Sequence, residues 1–258
     1  MLSKIIPLMF ILIMACHQPH PETLKIRQDV QNIPLDNSYK KVGDIPLPSG
    51  YARINYPSDS FAEWLRNIGL KKDKAVHLYN GSLKNNQSAQ FAVLDISVGK
   101  TDLQQCADAV MRLRAEYLYQ KKDFDHIIFS DNGGTSYQFH SPYSRVNFDS
   151  YLTRVFEMCG SASLSKQLKN HVDVKDIQPG DVFIRGGFPG HAVTVMDVAQ
   201  NNKGEKIYLL AQSYMPAQDI HVLVNPLNPE LSPWYEVSND SFIKTPEYVF
   251  SRDELKGW

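Results

Sequence analysis

The interpretation of this chain depends on the stretch Ile177-Gln178-Pro179-Gly180-Asp181-Val182-Phe183-Ile184-Arg185, followed by Pro189-Gly190-His191-Ala192-Val193-Thr194-Val195-Met196. The pattern predicts a Pro-Gly turn, a strand, a glycine-rich loop and a second strand that opens with a histidine. A histidine at the mouth of a sheet stands on a rigid element and can act as a general base. Such a base would need a nucleophile, expected upstream, and a polar residue that orients the imidazole, expected downstream.

Around this stretch, the sequence predicts helices first and a run of short strands afterwards. Helical periodicity and capping signals predict helices over 59–70, 101–121, 147–158 and 161–168. Extended patterns predict strands over 75–79, 90–98, 126–130, 136–140, 182–185, 192–198, 207–213 and 220–224. The Asn201–Gly204 turn joins two of these strands as a hairpin, and the strands at 75–79 and 90–98 are expected to pair. The order indicates an α+β fold with an antiparallel sheet, in which the part before about residue 99 is an N-terminal extension.

Composition and motifs exclude several classes of function. The chain of 258 residues has 27 Lys and Arg against 28 Asp and Glu, with no block of like charge, so neither a nucleic-acid footprint nor a polybasic membrane patch is expected. We find no His-Glu-x-x-His motif, no Cys/His cluster at metal spacing, no phosphate-binding loop and no Gly-x-Ser-x-Gly elbow. No metal and no cofactor are therefore predicted.

The N-terminus has the features of a targeting segment. Lys4 precedes a short apolar run that ends in Ile13-Met14-Ala15-Cys16, which resembles a bacterial lipobox. This predicts a signal peptide over 1–15, lipidation of Cys16, a flexible tether over 16–45 and a single domain over 46–258. The alternative is an ordinary signal peptide with a nearby cleavage site. A lipid on Cys16 would attach the protein to a membrane. The expected location is the cell envelope, on the periplasmic face of the outer membrane. The sequence predicts no oligomeric state.

Two cysteines of the mature chain are candidate nucleophiles. Cys106 lies in the opening turns of the predicted long helix. If the helix begins at Thr101, Cys106 is past the best dipole position, whereas if Gln104 or Gln105 caps the helix, the dipole and free N–H groups favour a thiolate. It also lies on the apolar stripe of that helix, where a buried and inert cysteine packs well. Cys159 is the alternative nucleophile, although a helix C-terminus raises a thiol pKa. A third possibility is a disulfide between the two cysteines, which an oxidising compartment would allow.

Polar partners for the candidate histidine come from the neighbouring strand. In the predicted hairpin, Gln212 lies at the end opposite the turn, close to His191 in register, and its carbonyl could fix the imidazole tautomer. The alternative is a structural histidine that hydrogen-bonds a backbone carbonyl. Gln104 and Gln105 precede Cys106 and could donate to an oxyanion.

The stretch Leu164–Met196 resembles the second half of the NlpC/P60 family of bacterial cell-wall peptidases, which have a papain-like fold. The resemblance is carried by a short helix, the Pro179-Gly180-Asp181 turn, a strand and a Gly-His strand. It implies a helix packed on an antiparallel sheet, with Cys106 as nucleophile, His191 as base and Gln212 as orienting residue. The family usually has an aspartate directly before the cysteine, whereas this chain has Gln105, and the spacing from Cys106 to His191 is longer than is typical.

A second resemblance covers most of the mature chain. Leu-Gln-Gln-Cys-Ala-Asp-Ala-Val-Met-Arg-Leu-Arg-Ala-Glu-Tyr at 103–117 and Ala-Gln-Ser-Tyr-Met-Pro-Ala-Gln at 211–218 are similar to segments of a group of uncharacterised bacterial lipoproteins. Two functions follow as hypotheses. One is a membrane-tethered thiol hydrolase, an amidase or endopeptidase that acts on peptidoglycan peptide. The other is a non-catalytic envelope lipoprotein that uses the same fold to bind a glycan, a peptide or a protein partner.

Overall fold

A nine-stranded antiparallel sheet dominates the computed structural model, which describes residues 37–170 and 173–258. The described residues contain four α-helices: α1 (Phe61–Arg66), α2 (Cys106–Gln120), α3 (Arg145–Met158) and α4 (Ser161–Gln167). Their strands are β1 (Tyr51–Arg53), β2 (Gln90–Val93), β3 (Ile128–Ser130), β4 (Ser136–Gln138), β5 (Lys169–Asn170), β6 (Val182–Arg185), β7 (His191–Asn201), β8 (Lys206–Gln212), β9 (His221–Leu223), β10 (Tyr235–Glu236), β11 (Phe242–Lys244), β12 (Val249–Ser251) and β13 (Leu255–Gly257). The predicted α+β class with an antiparallel sheet is confirmed.

The large sheet has the order β2-β9-β8-β7-β6-β13-β5, and β1 and β10 pair with β7 and β8. Two further hairpins, β3–β4 and β11–β12, form separate two-stranded sheets. Both faces of the large sheet are covered, because its side chains alternate between two buried clusters. One cluster, which includes Ala192, Met196 and Leu209, also contains residues of the helices. The other, which includes Val193, Leu210 and Phe250, contains residues of the β11–β12 hairpin.

Helix α2 packs against β7 through an almost continuous small and apolar face. Val110, Met111, Leu113 and Leu118 are buried, and alanines between them allow the helix to approach the sheet closely. The sequence left open whether the helix begins at Thr101 or after a cap at Gln104 or Gln105, and it begins at Cys106, after Gln105. The chain before it makes tight turns instead, in which the N–H groups of Leu103 and Gln105 donate to carbonyls only two residues earlier.

A β-bulge between Val195 and Asp197 directs a carboxylate into the interior of the fold. Asp197 is fully buried and accepts hydrogen bonds from Arg66 at 2.7 and 2.9 Å and from Arg53 at 2.7 Å. Because a buried carboxylate needs compensating partners, these two guanidinium groups tie α1 and β1 to the central strand β7.

The turn before β6 depends on one glycine. Gly180 has φ of +95°, and an added Cβ would lie 2.6 Å from a ring atom of Phe61 on α1. The Pro179-Gly180 turn predicted from the sequence therefore also lies in close contact with Phe61 on α1.

One domain boundary and one strand predicted for the N-terminal part of the chain differ from the structure. Residues 37–45 fall in the predicted tether, yet Val42 and Ile45 are fully buried, so the folded unit begins before residue 46. The strand predicted over 75–79 is absent from the described fold, where this segment makes only isolated bridges and β2 pairs with β9 instead. Side chains take two of its backbone hydrogen bonds in place of a neighbouring strand, since the N–H groups of Val76 and His77 donate to the side chains of Gln87 and Asp219.

Candidate functional site

Cys106 is the first residue of α2, and Gln105 is the residue that caps the helix in an extended conformation. The first N–H groups of a helix have no intrahelical partner, so a thiol at this position lies next to free donors. The Cys106 thiol interacts with the backbone N–H groups of Ala107 and Ala192. Ala192 directly follows His191, so the structure brings the start of α2 to the start of β7.

His191 is 1% exposed, and aromatic rings surround its imidazole. The ring centroids of Tyr214, Tyr248 and Phe250 lie 4.5, 5.0 and 5.8 Å from that of His191. This apolar enclosure lowers the pKa of His191 to about 4, because burial disfavours the imidazolium. The imidazole is therefore neutral at neutral pH and has one nitrogen lone pair available.

Gln212 at the end of β8 reaches His191 as the register predicted. The Nε2 atom of His191 and the Oε1 atom of Gln212 are 2.8 Å apart, and Gln212 is 1% exposed. The second ring nitrogen, Nδ1, makes no hydrogen bond to any residue in the described ranges. A carbonyl oxygen on Nε2 requires the proton to be on that nitrogen, which leaves the lone pair on Nδ1.

The thiol itself is protonated at neutral pH. Burial, followed by the nearby carboxylate of Asp108, raises the pKa of Cys106 to about 11. Asp108 lies in the first turn of α2, where its Oδ2 atom accepts from the N–H of Gln105 at 3.0 Å, and its Oδ1 atom is buried without a partner. Burial raises the pKa of Asp108 to about 8. The resting pair is consequently a neutral thiol and a neutral imidazole.

Cys159 follows the last residue of α3 and lines the same cavity of about 220 Å³ as Cys106. Both cysteines are free, so the structure does not contain the disulfide that the sequence allowed. Burial, then the charges of Asp131 and Asp108, raises the pKa of Cys159 to about 11. In contrast to Cys106, this thiol stands at the carbonyl end of its helix.

The loop between β6 and β7 forms one wall of this cavity, opposite the first turn of α2. Gly190 is closely packed there: an added Cβ would lie 2.4 Å from the carbonyl oxygen of Gly187 and 2.5 Å from Oγ of Ser161. Two exposed apolar side chains line the same cavity, Phe188 on this loop and Met215 after β8.

The two candidate oxyanion donors point elsewhere. Gln104 is buried, and its Oε1 atom accepts from Arg112 at 2.6 Å in an adjoining cavity, where its Nε2 atom has no partner. The Nε2 atom of Gln105 donates to Asp102 at 3.2 Å. The donor nearest to the Cys106 thiol is therefore the backbone at the start of α2 rather than a glutamine side chain.

Sequence reasoning missed Asp108, Glu247 and the aromatic residues around His191. Asp108 lies four and eight residues before Arg112 and Glu116, the spacing of an exposed row of charges on one helix face, but it is 6% exposed. Its position three residues after the capping residue is a signal for a capping carboxylate that could have been used. Glu247 had no such signal, because it lies in a loop 35 residues after its partner Gln212.

Other predictions fall outside this site. The signal peptide over 1–15 and the lipidation of Cys16 lie outside the described residues. In the part of the chain that the structure describes, no helix has the length and apolar character to cross a membrane. The same ranges contain no cluster of His, Cys, Asp or Glu side chains suited to hold a metal ion.

Comparison with known families gives one match, in two overlapping stretches. Residues 43–144 and 135–257 match DUF4846, described as "Domain of unknown function (4846)". The chain belongs to the DUF4846 family. Searches of curated proteins and of solved structures give no match. The DUF4846 region includes α2, β7 and β8, so Cys106, His191 and Gln212 are all within it.

Proposed function

We propose that this protein is a thiol hydrolase of the cell envelope with a papain-like arrangement of Cys106, His191 and Gln212. One observation carries the proposal: Cys106 at the first position of α2 and Gly190, the residue before His191, line one cavity, and the imidazole of His191 is hydrogen-bonded to Gln212. A cysteine at a helix N-terminus, a base on a strand and a polar orienting residue form the set that nucleophilic acyl transfer requires.

The reaction begins from the neutral pair. His191 accepts the thiol proton at Nδ1 while Sγ of Cys106 bonds to the carbonyl carbon of an amide. The negative charge on the carbonyl oxygen is stabilised by free N–H groups at the start of α2. The C–N bond then breaks, and His191 gives its proton to the leaving amine. Water, deprotonated by His191, attacks the resulting thioester, the C–S bond breaks, and His191 returns the proton to Sγ, which leaves a carboxylic acid and the free thiol.

The proposed substrate is an amide of a peptidoglycan stem peptide, and the proposed location follows from Cys16. A lipid on Cys16 would hold the domain at the periplasmic face of the outer membrane, where peptidoglycan is within reach. The resemblance to NlpC/P60 peptidases supports this substrate class. Labelling with a fatty-acid probe tests the anchor, since wild-type protein should incorporate the probe and Cys16→Ser should not.

The decisive experiment compares two cysteines that line one cavity. Purified protein is incubated with stem peptide, and release of a new amine is followed by mass spectrometry. Cys106→Ala should lose activity by at least about a thousandfold, as loss of a covalent nucleophile does in comparable sites. Cys159→Ala is the matched control and should retain activity within about threefold of wild type. Equal activity in wild type and Cys106→Ala would refute the proposal.

The second candidate is a non-catalytic envelope protein that binds a glycan, a peptide or a protein. The observation that favours it is the resting state of Cys106, whose thiol has a pKa of about 11 and makes no hydrogen bond to His191 in the described structure. Under this alternative, Cys106→Ala and His191→Ala lower stability without a loss of cellular function. A loss of function in both variants, with folding unchanged, would exclude it.

A further inference from the structure

The side-chain amide of Gln212 has to face one particular way. A carboxamide has an acceptor end and a donor end of nearly equal size, and only its oxygen can accept a proton from His191. The reverse orientation would present an NH₂ group to Nε2 and force the proton of the imidazole onto Nδ1. Something beyond Gln212 must therefore decide which end faces the histidine.

The other end of Gln212 contacts two acceptors. Its Nε2 atom donates to Oε2 of Glu247 at 2.7 Å and lies 3.4 Å from Nε2 of His221. The Nδ1 atom of His221 is 2.9 Å from the carbonyl oxygen of Asp219, so Nδ1 carries the proton and Nε2 presents a lone pair. A reversed amide would direct its oxygen at a carboxylate and at this lone pair.

We infer that Glu247 is a positioning residue that fixes the amide of Gln212 and, through it, the Nε2–H tautomer of His191. The inference rests on the proposed function only for its consequence in catalysis, since the tautomer is a property of the resting protein. With the proton on Nε2, the lone pair is on Nδ1, the nitrogen without a partner in the described structure. Glu247 therefore acts at a distance, without contact to the thiol.

The surroundings of Glu247 keep it an acceptor. Oε2 of Glu247 also accepts from Nζ of Lys84 at 2.5 Å, and Oε1 accepts from Nδ2 of Asn86 at 3.1 Å. Burial favours the protonated acid, but the hydrogen bond and the charge of Lys84 outweigh it and hold the pKa of Glu247 below its usual value. The other titratable groups near it include His221, His191, Tyr214 and the adjacent Tyr248.

Three distant segments meet at this point. Lys84 comes from the long connection before β2, Gln212 ends β8, and Glu247 lies between β11 and β12. The β11–β12 hairpin also supplies two of the rings that enclose His191, since Tyr248 and Phe250 follow Glu247 closely. The hairpin thus holds both the imidazole and the amide that orients it.

The test reads the tautomer directly. Nitrogen-15 NMR of the full chain labelled in histidine distinguishes the two ring nitrogens of His191. Wild type should show the Nε2–H form in at least tenfold excess. The double variant K84M/E247L removes the acceptor together with its cation, so that no unpaired charge is left buried, and the Nδ1–H form should become comparable in amount. The matched variant Lys84→Arg keeps both the acceptor and its cation and should retain the wild-type ratio.

Glu247→Gln serves as the conservative rescue. An amide oxygen at the Oε2 position can accept from both Lys84 and Gln212, so this variant should keep the wild-type tautomer. Should K84M/E247L not fold, Glu247→Asn withdraws the acceptor by one methylene and should show the same shift to Nδ1–H. With an active wild type, kcat should fall about tenfold in K84M/E247L with little change in KM.

An unchanged tautomer in K84M/E247L and in Glu247→Asn overturns the inference, even if the wild type hydrolyses peptides. A shifted tautomer in a protein that cleaves no peptide supports the inference and counts against the hydrolase. The two failures are therefore distinguishable.

Discussion

The burial of His191 makes a quantitative prediction about stability and pH. The pKa of His191 is about 4 in the folded protein because burial disfavours the charged ring, against an ordinary value of 6.5. Between these two values the unfolded chain binds more protons than the folded one. The stabilising contribution is therefore complete above pH 6.5, and it is lost progressively as the pH falls from 6.5 towards 4.

The magnitude follows from the two pKa values. Proton linkage gives a loss of about 0.8 kcal/mol at pH 6 and about 2 kcal/mol at pH 5, relative to pH 8. We propose to measure this with His191→Gln, which cannot titrate. Other groups that titrate in the same range, among them Asp108, are common to both proteins. Their effects and any pH-independent cost of the substitution cancel in the difference.

The measurement is urea unfolding followed by tryptophan fluorescence at pH 8, 6 and 5. The stability advantage of wild type over His191→Gln should shrink by about 2 kcal/mol from pH 8 to pH 5, with unchanged m-values. His140→Gln, at an exposed position, is the control and should show no such change. An advantage that stays constant within about 0.5 kcal/mol would refute the account of the buried neutral imidazole.

Three further predictions test neighbouring parts of the fold. Asp108→Asn removes a charge that raises the pKa of Cys106, so iodoacetamide should modify Cys106 faster at pH 9, by at most about tenfold because burial remains; an unchanged rate would contradict this. Asp197→Ala leaves two guanidinium groups without their carboxylate and should lower the free energy of unfolding, measured in urea, by about 3–5 kcal/mol. A decrease of less than about 1 kcal/mol would contradict this. Gly180→Ala combines a strained φ with contact against Phe61 and should cost about 2–3 kcal/mol, and an unchanged melting temperature would show that the turn relaxes freely.

Local patterns predicted much of this fold. The turn, the two strands and the hairpin around His191 followed from alternation and turn residues, and register alone brought Gln212 to His191. These features are determined within about 35 residues of chain, where periodicity and turn chemistry act directly.

Predictions failed where side chains that are distant in the sequence determine the local structure of the backbone. The segment 75–79 looks like a strand, but Gln87 and Asp219 satisfy its backbone. The helix start at Thr101 was plausible from its capping pattern, yet Asp102 instead accepts from the N–H of Ala217, on a loop more than 100 residues away. Glu247 belongs to the same class, because only the folded chain brings it to Gln212.

Because Gly190 is closely packed, the glycine and the histidine of the Gly-His pair are constrained for different reasons. Any side chain before His191 would collide with Gly187 and Ser161, whatever the histidine does. Relatives that share this loop are thus expected to keep the glycine for steric reasons alone, including relatives that have lost the imidazole. In an alignment of such sequences, the position after the glycine is therefore the one that bears on function.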